Sequence, residues 1–157
     1  PPPTSSTTPP PASTPAADPT LAKIPEAARP KTIDGAEKFA SFYVLQINKA
    51  FEVPDPKEIS TIAAPSCKAC AAFVDSAATL KSEGQRHKSG ALEVVSTSVV
   101  DFQPPKARVA VTIKQVPVEV VDDSGKVVRT TQSDTGTLVL DLLYKDHWIV
   151  SDFAVAE

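Results

Sequence analysis

Residues 34–52 read DGAEKFASFYVLQINKAFE, and the spacing of their apolar positions decides the fold. Ala36, Phe39, Ala40, Tyr43, Val44, Ile47, Ala50 and Phe51 return at intervals of three and four, which places them on one face of an α-helix. Phe42 and Leu45 widen that stripe, so more than half of the helix circumference should be covered. Glu37, Lys38, Ser41, Asn48, Lys49 and Glu52 fill the remaining face. Asp34 with Glu37 forms a capping-box-like pair at the start, and Pro54 and Pro56 stop the helix. A helix this apolar needs a second layer to cover it, and the rest of the chain has to supply that layer.

Toward the C-terminus, residues 57–62 read as a short second helix. Ser66 is placed to cap another, in which Cys70, Phe73, Val74, Ala77 and Leu80 keep one face apolar. Gly84 is suited to end that helix, and GQRHKSG, residues 84–90, reads as a polar loop. From Leu92 the period changes to two. Residues 94–102 are rich in valine and threonine, and Pro104-Pro105 makes a turn. In residues 108–121, Val109, Val111 and Ile113 alternate with Ala110, Thr112 and Lys114. Residues 122–125, DDSG, form a turn. Residues 126–144 read as one long strand or a bulged pair broken near Gly136, and residues 147–155 as the last strand. On the long strand Leu138, Leu140, Leu142 and Tyr144 share one parity, and Asp141 takes the other. Helices first and strands afterwards mean an α+β domain: two or three N-terminal helices packed on a curved antiparallel sheet of about four strands.

Toward the N-terminus the composition changes. Of 16 prolines in the 157 residues, ten lie in the first thirty, PPPTSSTTPPPASTPAADPTLAKIPEAARP. Leu21 and Ile24 are the only large aliphatics there. Such a stretch cannot offset its conformational entropy by burial. Residues 1–30 are therefore expected to be a disordered tether of polyproline character, reaching up to about 90 Å. Residues 31–157 are expected to be the single folded domain. The chain contains no methionine, as expected if an export signal has been removed ahead of it, or if the domain has been excised from a longer protein.

The chain resembles the nuclear-transport-factor-two-like fold, the cone-shaped or cystatin-like arrangement of a long helix across a bent antiparallel sheet. The ending His147-Trp148-Ile149-Val150-Ser151-Asp152 carries part of that likeness. More narrowly it resembles an actinobacterial lipoprotein family of unknown function, through Gly35-Ala36-Glu37, Phe39, Phe42-Tyr43, Asn48-Lys49-Ala50, Cys67-Lys68-Ala69-Cys70 and Trp148. That resemblance implies a lipid-anchored, extracytoplasmic protein and brings no known activity. The anchoring cysteine of such proteins is not among these residues.

The chemistry on offer is sparse. Cys67 and Cys70 can be read as a redox pair near a helix N-terminus, as half of a zinc site, or as a structural disulfide. The redox motif normally follows a strand in a βαβ unit, and zinc would need His87 and His147, which share no ligand spacing. The disulfide is the reading adopted; in the chain-entropy model so short a loop is worth only about 2 kcal/mol. His87, in the polar loop, and His147, beside a turn, read as surface residues, because a general base needs a positioned partner. No phosphate loop and no G-x-S-x-G nucleophile motif occurs, so no cofactor, metal or catalytic residue is assigned. The net charge of −3, from 16 basic and 19 acidic residues, shows no basic stripe for nucleic acid. Phe39, Tyr43 and Ile47 of the long helix should meet Leu140 and Leu142 of the sheet, either as a filled core or as the lining of a cavity.

Three functions follow, in order. The first is a non-enzymatic extracytoplasmic binding or scaffolding domain, with an envelope protein, a lipid or a cell-wall component as partner. It would be held at the membrane through an N-terminal lipid anchor or be secreted. The second is a small-molecule-binding or isomerase/dehydratase-like enzyme using the cone cavity. The third is a thiol-disulfide protein working through Cys67 and Cys70.

Overall fold

The computed structural model describes residue 3 and residues 18–156. The long helix is α2, Ile33–Glu52. Its cap differs from the expected pair. Thr32 stands at the N-cap, and its hydroxyl accepts from the Gly35 amide at 3.0 Å. Asp34 instead pairs with Lys38 one turn on, and Glu37 Oε1 accepts from the Val99 amide at 3.2 Å. A threonine hydroxyl caps a helix as an aspartate carboxylate does, by accepting from an early amide. A Cβ on Gly35 would run into the Pro30 carbonyl, so only glycine lets that segment lie so close.

Two short helices flank α2: α1, Pro19–Lys23, and α3, Lys57–Ser60. The third helix of the expected set is α4, Lys68–Ser82, capped by Cys67 and not by Ser66. Gly84 follows it with φ +64°, the left-handed conformation in which glycine is favoured.

The strands are β1 Gln85–His87, β2 Leu92–Gln103, β3 Lys106–Gln115, β4 Glu119–Asp122, β5 Val127–Thr130, β6 Asp134–Lys145 and β7 His147–Ala156. Four of them form the expected antiparallel sheet, in the order β2-β3-β6-β7. Bulges at Val95 and Val100 in β2, and at Ser151 in β7, interrupt the register and bend the sheet toward α2. The other three make a second small sheet, β1-β4-β5, that the sequence reading lacked. It takes its strands from the expected loop and from the two long expected strands. The strand placed at 108–121 breaks after Gln115 because Pro117 cannot donate to a ladder. The break expected near Gly136 falls at residues 131–133; Gly136 sits inside β6, opposite Ile113. Thr131 holds the crossing, its hydroxyl accepting from Val118 N at 2.8 Å and donating to Val116 O at 3.1 Å.

One core joins the layers. Phe39, Tyr43, Val44 and Ile47 of α2 meet Val109, Val111, Leu138, Leu140, Leu142, Trp148 and Val150 of the main sheet. The alternation of β3 and β6 is kept residue by residue, and Asp141 lies on the opposite face in a bidentate pair with Arg108 at 2.7 and 3.3 Å.

The tether boundary is corrected. Residues 18–30 pack on the domain, while the rest of the expected tether, apart from residue 3, lies outside the described residues. Ile24 and Ala28 are fully enclosed. Arg29 Nε donates to Ile24 O at 2.8 Å, Trp148 Nε1 donates to Pro30 O at 2.8 Å, and Lys31 Nζ lies 5.0 Å from the centre of the Tyr144 ring. Two apolar side chains suffice to dock this stretch because the surface beside α2 and Trp148 receives both, which a composition count over thirty residues cannot register.

Candidate functional site

The first candidate is the interior of the cone. Helix α2 and strand β6 bring Phe39, Tyr43, Ile47, Leu140 and Leu142 together, each at most 1% exposed. Helical spacing aims the first three at the sheet, and strand parity aims the two leucines back. The Tyr43 ring stands edge-on to Phe153 with centroids 6.4 Å apart. Its hydroxyl is enclosed and has no partner, and burial pushes its pKa far above the ordinary 10. A phenol whose ionisation burial disfavours and whose hydroxyl has no partner is poorly suited to proton transfer. Of five prominent grooves among the described residues, none is bordered by Phe39, Tyr43, Ile47 or Leu140, and Leu142 borders one, beside Arg108 and Asp141.

The second candidate is the cysteine pair. Cys67 Sγ and Cys70 Sγ lie 2.03 Å apart, at disulfide distance, across the first turn of α4. Each cysteine is 1% exposed, and Cys67 Sγ accepts from the Cys70 amide at 3.1 Å. Enclosure of both sulfurs works against attack by an external thiolate.

Both histidines depart from expectation, being buried where surface positions were predicted. His147 Nδ1 lies 2.8 Å from Trp148 O, and its Nε2 lies 3.9 Å from Asp18, a residue of the docked N-terminal segment. His87 belongs to β1 and is 7% exposed. Its ring lies 5.1 Å from that of Phe51, and its Nδ1 is enclosed without a partner. Burial, with Arg129 nearby, holds its pKa below the ordinary 6.5. Sequence reasoning missed this residue because QRH is too short to show alternation, and Phe51 comes from a distant helix.

The remaining feature is a surface. The helices pack on one face of the main sheet, and the other face is open. Two successive cross-strand rows there carry no charge: Ser96-Thr112-Thr137-Ala156 and Ser98-Ala110-Val139-Ala154. Asp101, Arg108, Asp141 and Asp152 form a charged row beside them. Val95 and Val100, the two bulged residues of β2, stand 63% and 62% exposed at its edge.

Comparisons with known proteins give a family and a fold. The family described as "Family of unknown function (DUF6318)" matches residues 8–154, and the chain belongs to it. No curated protein matches. Among solved structures, the intermembrane space region of the chloroplast protein ARC6 is 18% identical, with a TM-score of 0.57, covering 79% of this chain and 95% of that one. The protein Aln2 from a Streptomyces species is 12% identical, with a TM-score of 0.50, covering 78% and 89%. These likenesses are of fold alone. An uncharacterised protein with a cystatin-like fold from Caulobacter vibrioides is 15% identical, with a TM-score of 0.48, covering 78% of this chain and 89% of that one.

Proposed function

We propose that this member of a family of unknown function is an extracytoplasmic binding or scaffolding domain that recognises an envelope component with its outer sheet face. The observation that carries the reading is the contrast between the two faces of one sheet. The inner face is closed on Phe39, Tyr43 and Ile47, whereas the outer face presents two uncharged rows edged by exposed valines. A wide, open sheet face with an uncharged stretch bordered by charge suits macromolecular contact better than capture of a small substrate. The compartment is inferred from the cysteine pair, since disulfides persist in oxidising surroundings, and from the Pro/Ser/Thr-rich start. Attachment through an N-terminal lipid anchor belongs to the same proposal and rests on the resemblance described above. Among the described residues no helix is long and apolar enough to cross a membrane.

The test is site-specific photo-crosslinking in the producing cell. A probe at Ala110 or Val139 should give one discrete adduct with an envelope component. A probe at Ala72, on the exposed side of α4, should not. Equal labelling from all positions, or none from the sheet face, would remove the proposal.

A further inference from the structure

His87, 7% exposed and with its enclosed Nδ1 unpartnered, borders a second place where there is open space. Where α4 meets the small sheet there is a groove of about 360 Å³, bordered by Phe51, Asp75, Thr79, Glu83, His87 and Arg129. Asp75 and Thr79 of α4 and Glu83, its C-cap, follow one face at four-residue intervals. Arg129 comes from β5. The groove therefore has an acidic wall and a basic wall. Among the described residues, Asp75, Glu83 and Arg129 take part in no ion pair. Arg129 Nη1 donates to Gln85 Oε1 at 3.0 Å, which steadies the guanidinium and leaves further N–H groups free. Because Nδ1 of His87 is enclosed, only Nε2 is available to a ligand. A proton on Nδ1 would have no acceptor, so the neutral ring with its hydrogen on Nε2 is the favoured form. The imidazole is then a second donor, with Arg129, among the residues that border the groove. Phe51 adds an apolar floor, in ring contact with both His87 and Phe73.

We propose that this groove binds a small zwitterion of the α-amino acid type, its carboxylate at Arg129 and His87 Nε2 and its ammonium at the acidic side chains of α4. Donors and a cation on one wall match a carboxylate, and the carboxylates opposite match an ammonium. A ligand with a single charge would leave one wall facing its own sign or nothing. The apolar floor takes a side chain. The groove is separate from the outer sheet face, so its test stands whatever the cross-linking shows.

The probe is L-leucine, titrated into the ¹⁵N-labelled protein and followed by amide shifts. L-leucinamide, which lacks the carboxylate, and N-acetyl-L-leucine, which lacks the ammonium, are the controls. Leucine should produce saturable shifts at Thr79, His87 and Arg129, with a dissociation constant on the order of 1 mM, and each control should bind at least about tenfold more weakly. Arg129→Gln should erase the difference between leucine and leucinamide. Asp75→Asn combined with Glu83→Gln should erase the difference between leucine and N-acetyl-leucine. These are exposed side chains, so the variants should fold. Shifts that never saturate, that centre elsewhere, or that are the same for all three compounds would overturn the proposal.

Discussion

Tyr43 and His87 share a defect and differ in surroundings. Each has a polar atom shut away from water without a partner. Tyr43 projects from α2 against Phe153 and the leucines of β6, and borders none of the grooves described above. His87 walls an open groove between α4 and the small sheet. In the first case the ring's bulk fills the cone and the hydroxyl is a tolerated cost. In the second the ring keeps one edge for something outside. A buried polar residue therefore points to function only where space and complementary groups lie next to it, and for His87 it is the other nitrogen, Nε2, that would use them.

The most forceful way to break that contrast is to empty the cone. Phe39→Ala should lower the unfolding free energy by roughly 3–5 kcal/mol, because a core truncation loses burial and leaves a cavity. Denaturant titration reads this directly. A loss below about 1 kcal/mol would mean slack around Tyr43 and would reopen the enzyme reading. Next in size comes the cysteine pair, which pins the start of the helix that walls the groove. Cys67→Ser with Cys70→Ser should cost about 2 kcal/mol or less. Amide exchange should quicken at the α4 N-terminus and not in the middle of α2; the reverse pattern would show that the bond holds the whole domain together.

A smaller effect sharpens the His87 side. Its folded pKa lies below the ordinary 6.5, so between the two values the unfolded chain binds more protons. Stability should then rise with pH through that window and be lost as pH falls from about 6.5. His87→Phe should flatten this part of the melting profile, and an unchanged slope would show that the ring is not held neutral. The smallest change belongs to Tyr43→Phe, which removes an unpartnered hydroxyl. It should alter stability by no more than about 1 kcal/mol, with a gain as the expected sign. A marked loss would reveal a hidden partner and make the two orphan atoms alike.

Local pattern determined a good part of this protein by itself. The stripe from Ala36 to Phe51 specified α2, since helical spacing needs no knowledge of the partner. Parity on β6 put Leu138, Leu140 and Leu142 inward and Asp141 outward, and valine-rich alternation announced the main sheet. Other features were settled only by tertiary structure. Ile24 and Ala28 are buried because α2 and Trp148 offer a place for them; in a proline-rich stretch two such residues carry no signal of their own. The small sheet gathers strands of three and four residues, too short for alternation to register. His87 stands against Phe51 of α2 and shares a groove with Leu80 of α4 and Arg129 of β5. Pattern along the chain records which face a residue prefers. Which distant groups come to stand against that face is set by packing, and in this protein the proposed groove exists only at that level.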